Sequence, residues 1–459
     1  MSGWTREQVE ALSPDASSLK AANKLLNIAK WPGLGANGSA LWGECQGSGK
    51  KPYLTRIDLS EPAFKCSCPS RKFPCKHALA LFMLFAEDAS SFSQSDAPEW
   101  VTEWLESRNS RKEAKARKAD APVDEAAQAK RVVAREAKVL AGLEELELWL
   151  HDLLRGGLMQ LPSKPHQFID DMAARMVDAQ ASGLARLLRE LNDVPFSGQA
   201  WAEEVLAKLG ELQVLISAYR RQEALADLVR ADLRRAVGWT DNQKDLAKQP
   251  GVKDTWLVMG QTLGHEDNLR VRKSWLWGKE TKQVALELAF AFGSQPFATT
   301  IVAGQGFTGE VVFFPSNYPL RAVLKEPIKL SGFKEDDVRG LESFNGFDDL
   351  LDAYAMALSK NCWLEQFPVF VDDVTPCMFD TEFVLRDALG CTLPVSSAFR
   401  KAWQLMAVSG GHPVRLVAEW DGAALLPMSV WPLIKKLNIV TVSHLPQTES
   451  CQPSQYALC

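Results

Sequence analysis

Four metal-ligating side chains lie within residues 66–77, spaced as Cys66-x-Cys68 and Cys75-x-His77. Structural zinc sites close a tetrahedral shell with four such sulfur and nitrogen ligands. Six of the nine cysteines lie elsewhere in the chain, so general cysteine richness does not explain the grouping. We therefore predict that Cys66, Cys68, Cys75 and His77 bind one structural Zn²⁺ ion. Because four protein ligands leave no open position for water, the spacing does not favour a catalytic zinc.

The residues around the ligands indicate how the chain presents them. Alternate residues of a strand face the same side, which would bring Cys66 and Cys68 together. Pro74 is typical of a helix entry, and the apolar run 78–85 predicts a helix whose first turn carries Cys75 and His77 inward. Cys45 lies on a predicted strand nearby and is the one substitute ligand to consider, although a packed or an exposed side chain explains it better than metal binding does.

The pattern C-x-C, a gap, then C-x-H resembles the SWIM zinc finger, with Cys66, Cys68, Cys75 and His77 at the matching positions. The segment 41–53 looks like the short strands that precede the motif in bacterial members, and 403–420 is similar to part of the longer bacterial SWIM proteins. The resemblance implies binding to DNA, RNA or other proteins. It further implies association with AAA-type ATPases of the MoxR class and with von Willebrand A-type proteins. It supplies no catalytic residues.

The charge is modestly acidic, with a net value of −5, which does not favour a protein that coats nucleic acid with its whole surface. The cations are unevenly spread, however. Residues 108–138 contain ten Lys or Arg and five Asp or Glu, and Lys65, Arg71, Lys72 and Lys76 flank the zinc ligands. These four can offset the charge of about −1 on a three-thiolate zinc site or bind phosphate. The acidic net charge favours a protein partner over nucleic acid.

The periodicity of apolar residues predicts an α+β multidomain chain. Helical spacing with proline breaks predicts a central bundle of four or five helices, and strand-like runs with one helix at 347–359 follow it. The N-terminus lacks an apolar signal segment and no stretch is long enough to span a bilayer, so we expect a cytoplasmic protein without membrane contact. The predicted domains are a zinc-binding β-hairpin and helix module (1–95), a charged helical linker (96–138), the bundle (139–238) and a β-rich or α+β C-terminal region (239–459).

Two classes of function stay open at this point. The first is a non-catalytic interaction protein whose zinc module recognises a partner protein or nucleic acid, in one version as an adaptor to an AAA-type ATPase. The alternative is an enzyme, or an enzyme accessory subunit, with a site in the C-terminal half. The turns at 264–268 and 303–309 and the Gly410-Gly411-His412 sequence are explained better by turn geometry than by catalysis.

Overall fold

The computed structural model describes residues 4–10, 12–47, 49, 51–59, 62–119, 125–194, 201–266, 269–293, 295, 297–331, 341–431 and 440–441. Within them the α+β multidomain class is confirmed, with a helical region and several sheets. In the described part of the chain, no helix combines the length and the apolar character that crossing a bilayer requires.

The N-terminal module, residues 4–119, is a five-stranded sheet in the order β4-β3-β2-β1-β5 between helices. The β2–β3 hairpin forms where the sequence predicts it, with Cys45 paired to Tyr53. Helix α3 is buried on every side from His77 to Phe85, which explains its uninterrupted apolar run. The elements are α1 (Arg6–Glu10), α2 (Ala16–Asn23), β1 (Gly35–Ala36), β2 (Ala40–Cys45), β3 (Tyr53–Asp58), β4 (Ala63–Cys66), α3 (Lys76–Glu87), β5 (Ser93–Gln94) and α4 (Glu99–Ala119).

The first half of α4 packs on the sheet, although its composition predicts a solvated linker. Val101 is fully buried against Ala40 and Trp42. The guanidinium of Arg56 lies 5.1 Å from the Trp100 ring centroid, a distance at which cations are attracted to aromatic faces. This part of the predicted linker therefore contributes to the core of the N-terminal module.

The central region is a helical bundle whose core consists mainly of leucine, as the periodicity predicts. Helix α5 packs on α6 and α8, and α7 packs on α6, α8 and α9. The boundary predicted at residue 138 falls inside α5, which is one continuous helix. The elements are α5 (Glu125–Gly156), α6 (Gln167–Asp178), α7 (Ser182–Glu190), α8 (Trp201–Arg220), α9 (Asp227–Val237) and a short following helix, α10 (Gln243–Ala247).

The C-terminal region contains a closed five-stranded barrel and a six-stranded sheet. The barrel order is β10-β8-β7-β6-β9, and the sheet order is β13-β12-β11-β14-β15-β16. The predicted helix 347–359 forms with one residue more. The elements are β6 (Val252–Glu266), β7 (Leu269–Gly278), β8 (Val284–Phe292), β9 (Gly306–Phe313), β10 (Arg321–Ser331), α11 (Phe347–Lys360), β11 (Phe367–Phe379), β12 (Glu382–Arg386), β13 (Thr392–Pro394), α12 (Ala402–Ser409), β14 (Val414–Trp420), β15 (Leu425–Trp431) and β16 (Val440–Thr441).

The barrel contacts the other three parts of the molecule. The Thr300 hydroxyl donates to the Pro62 carbonyl of the N-terminal module across 2.8 Å. Arg235 of the bundle donates to the Pro315 carbonyl across 2.9 Å. On its remaining side the barrel shares an apolar core with the C-terminal sheet. The barrel is therefore the part around which the other modules are arranged.

Candidate metal centre

The four predicted ligands meet at one point of the N-terminal module. The ligand atoms of Cys66, Cys68, Cys75 and His77 all lie within 4.8 Å of one another, and the Cys66 Sγ to His77 Nδ1 distance is 3.7 Å. Metal bonds of about 2.3 Å to sulfur and 2.0–2.1 Å to nitrogen place tetrahedral ligand atoms roughly 3.5–3.8 Å apart. Among the described residues these four side chains form the one cluster of this kind.

The β3–β4 hairpin holds the first two cysteines. Cys66 ends β4 opposite Thr55, whose hydroxyl oxygen lies 3.3 Å from the Cys66 sulfur. The strand stops there, so Cys68 is positioned by the following bend, which Ser67 fixes by hydrogen bonds to the backbone of Leu54 at 2.9 and 3.0 Å. The prediction that one strand carries both Cys66 and Cys68 is therefore wrong for Cys68, which lies beyond the end of β4.

Helix α3 supplies the other two side chains. Cys75 is the residue that precedes the helix, and its carbonyl accepts the first helical hydrogen bond from Leu79. His77 is the second helical residue, and its ring packs on Tyr53 with 4.8 Å between centroids. Cys75 and His77 are each only 5% exposed. The apolar helix core thus fixes both ligands, whereas the hairpin leaves Cys66 and Cys68 partly open to solvent.

The thiols perturb one another strongly. Hydrogen bonding from the Cys75 thiol, assisted by His77 and Thr55 against the effect of burial, lowers the pKa of Cys66 to about 3. The same contact, together with burial, raises the pKa of Cys75. A divalent cation binds thiolates in place of their protons and offsets their negative charge. The donor set therefore fits zinc.

Cys45 does not join the cluster. Its side chain is fully buried in the core of the N-terminal module. Burial, with a smaller contribution from the charge of Cys66, raises the pKa of Cys45 to about 11, so this thiol is kept protonated. Of the two alternatives to metal binding, a packed or an exposed side chain, the structure shows the packed one.

Cations line the β3–β4 hairpin on the face opposite to Thr55 and Cys66. Arg56 on β3 is directly opposite Lys65 on β4. Partial burial lowers the pKa of Lys65, and the positive charges of Arg56 and Arg111 lower it further. Arg111 of α4 therefore belongs to the same group of cations. We call Arg56, Lys65 and Arg111 the cationic surface. Of the four flanking cations noted in the sequence, Lys72 instead pairs with Asp15 at 2.8 Å.

The sequence did not indicate Arg56 and Arg111 as neighbours of the metal centre. The signal that could have found them is the spacing of Trp100, Trp104 and Arg108 on one face of a helix. Arg56 stacks on both tryptophans, and Arg108 pairs with the buried Asp58 at 3.2 Å. These contacts bring α4, and with it Arg111, next to the hairpin that holds the ligands.

The other motifs noted in the sequence have structural roles. Gly410 and Gly411 have φ angles of 58° and 80° and end α12, so the Gly-Gly-His sequence forms a helix-terminating turn. The predicted turn at 264–268 is wrong in part, because β6 continues through Glu266; residues 267 and 268 lie outside the described residues. Residues 306–309, predicted as part of a hairpin turn, belong to β9.

Comparison with protein families gives two matches. Residues 58–84 match the SWIM zinc finger, and residues 134–237 match the SWIM-associated four-helix bundle domain. Comparison with curated proteins and with solved structures gives no match. Together with the three-cysteine, one-histidine cluster, the first match confirms the predicted structural zinc ion. The chain therefore carries a SWIM zinc finger followed by a SWIM-associated helical bundle.

Proposed function

We propose that this is a non-catalytic interaction protein in which Cys66, Cys68, Cys75 and His77 hold the zinc ion. In this proposal the ion fixes the β3–β4 hairpin against α3, and the opposite face of the hairpin, together with α4, presents the cationic surface to an anionic partner. The closed ligand set supports a structural role for the ion, since a catalytic zinc keeps one position for water or substrate.

The observation that carries the proposal is the grouping of Arg56, Lys65 and Arg111 on the α4 side of the β3–β4 hairpin, whose other side holds the metal ligands. Lys65 and Arg111 are exposed, and the Arg56 guanidinium lies 5.1 Å from the Trp100 ring centroid and 5.7 Å from the Trp104 ring centroid. The carboxylate of Glu103 acts on the charge of Arg56. Three cations on one face, one of them preorganised by stacking, favour the phosphate backbone of nucleic acid. This local grouping of cations favours nucleic acid as the partner, whereas the acidic net charge of the whole chain favours a protein.

Fluorescence anisotropy with labelled duplex and single-stranded oligonucleotides tests the proposal. Neutralising about three phosphates predicts a log–log salt slope of roughly −2 to −3. We expect Lys65→Ala/Arg111→Ala to weaken binding and to flatten that slope. The matched control is Lys20→Ala/Lys24→Ala, which removes the same charge from the C-terminal end of α2 and the residue that follows it, and should change neither. Equal losses in both variants would refute the assignment of the surface.

An acidic protein is the other outcome of this test. The AAA-type ATPase or von Willebrand A-type partner that the family resemblance implies would be indicated by a defined complex that survives nuclease and is lost in Lys65→Ala/Arg111→Ala. The alternative of an enzyme or an enzyme accessory subunit has no observation in its favour among the described residues.

A further inference from the structure

The barrel has the strand order of an OB-fold. If β6 to β10 are numbered 1 to 5 along the chain, neighbouring strands pair in the order 1-2-3-5-4, and strand 4 pairs with strand 1 to close the barrel. The pairing of β10 with β8 is parallel, and the other pairs are antiparallel. OB-folds bind oligonucleotides on the outer face of their second and third strands, which here are β7 and β8. Fold alone does not establish binding, so the side chains on that face decide the question.

The C-terminal sheet covers one half of this face. Trp275 and Trp277 of β7 and Leu286 of β8 are buried against Phe370, Val417 and Met428 of the sheet. The Trp275 indole also donates to the buried Glu419 carboxylate across 3.0 Å. This half of the face belongs to an intramolecular core, so an oligonucleotide cannot use it.

The other half of the face is open and aromatic. The β7–β8 pairing continues without a bulge beyond Leu286, so Leu288, Phe290 and Phe292 point to the same side. Phe290 is 44% exposed and Phe292 is 58% exposed, and Leu269, opposite Phe292, is 38% exposed. We call Leu269, Phe290 and Phe292 the open face. Its two rings are about 6.6–6.8 Å apart along the strand, which leaves room for one base on each.

We propose that the open face binds single-stranded nucleic acid by stacking two unpaired bases on Phe290 and Phe292. Phenyl rings exposed at alternate positions of an OB third strand form a stacking platform that accepts any base. Lys273, opposite Leu288 on the same side, is the cation at the border, and its ammonium lies 3.4 Å from Glu419. Arg270 projects to the opposite side, where its guanidinium stacks on Phe297. Because Glu419 partly neutralises Lys273, base stacking rather than attraction between charges supplies most of the affinity.

This proposal is independent of the cationic surface, and the salt dependence separates the two. Binding at the open face should show a slope of about −0.7 or shallower and a preference for single strands over duplex, because paired bases cannot stack on side chains. Binding at the cationic surface should be steep in salt. Measuring the affinity of the whole chain for an oligo-dT of about ten nucleotides at high salt isolates the contribution of the open face.

The decisive comparison is Phe290→Ala/Phe292→Ala against wild type under those conditions. We expect affinity for oligo-dT to fall by about tenfold or more, whereas Phe290→Tyr/Phe292→Tyr keeps the rings and should retain binding. Phe379→Ala, which removes a phenyl ring that is 67% exposed on β11, is the matched control and should have no effect. Absence of oligo-dT binding by wild type, equal affinity for duplex, or unchanged affinity of the double alanine variant would each overturn the proposal.

Discussion

Trp275 of the barrel donates its indole N–H to the carboxylate of Glu419 in the C-terminal sheet, across 3.0 Å and with both residues buried. The Ser429 hydroxyl donates to the Met259 carbonyl at 2.6 Å in the same interface. The two parts therefore share polar contacts as well as an apolar core. We expect them to unfold as one unit, because a buried donor or acceptor that loses its partner is costly.

Replacing Glu419 tests whether the barrel and the C-terminal sheet unfold as one unit. Glu419→Ala leaves the Trp275 N–H buried without an acceptor and should lower the free energy of unfolding by about 1–3 kcal/mol. Glu419→Gln keeps an acceptor oxygen and should cost less. Urea unfolding followed by tryptophan fluorescence measures both. Two separate transitions in the wild-type protein would argue against a single unit.

Replacing a proposed zinc ligand should unfold the N-terminal module alone. Cys75→Ser and His77→Ala remove buried ligands, and structural zinc binding contributes about 10–16 kcal/mol to the folding of small modules. We expect less than one zinc per chain by elemental analysis, with fast amide exchange in 4–119 and retained protection in the bundle. Cys45→Ala and Cys362→Ser should keep the metal. Full zinc content in both ligand variants would disprove the assignment.

The Thr55 hydroxyl should tune the affinity for zinc. It lies 3.3 Å from the Cys66 sulfur, and partners that hold a metal ligand in place typically change affinity by about 10–100-fold. Thr55→Val keeps the shape of the side chain and removes the hydroxyl, so we expect faster zinc loss to a chelator. Thr102→Val, at an exposed position of α4, serves as the control.

Two glycines of the bundle should respond oppositely to alanine. A Cβ at Gly183 of α7 would lie 2.0 Å from the Ala236 carbonyl oxygen of the neighbouring α9, so Gly183→Ala must push these helices apart. We expect a loss of about 1–3 kcal/mol. At Gly210 of α8 a Cβ meets open space, and Gly210→Ala should add about 0.5–1 kcal/mol. Thermal unfolding compares them, and destabilisation of equal size would contradict this packing.

The Asp372–Arg415 pair should contribute stability that disappears in acid. Burial acts to raise the pKa of Asp372, but hydrogen bonds from Arg415 and Ser343 outweigh it and hold the pKa below its usual 3.8. A carboxyl group whose pKa is lower in the folded state than in the unfolded state stabilises the protein at pH values above the unfolded-state pKa. This stabilisation is lost as the pH falls through the folded-state pKa. Arg415→Met should therefore lower the melting temperature at neutral pH, and the difference from wild type should shrink below about pH 4. A pH-independent difference would contradict this origin.

The sequence predicts best where the determining contacts are local. The zinc ligands lie within twelve residues, the bundle helices follow the leucine period, and the helix at 347–359 ends within one residue of its observed end. Barrel closure depends on pairs far apart in the chain, such as Ala322 with Glu287, so periodicity could not reveal it. Likewise, the charged composition of α4 obscured Trp100 and Val101, whose packing on the sheet brings Arg111 close to Lys65.

The central claim is that the zinc ligands build the surface that binds the partner. The most direct measurement is oligonucleotide anisotropy at low salt for wild type and for Cys66→Ser/Cys68→Ser, with zinc per chain determined in the same samples. We predict one zinc and salt-sensitive binding for wild type, and loss of both in the variant. Undiminished binding by a variant without zinc would contradict the account.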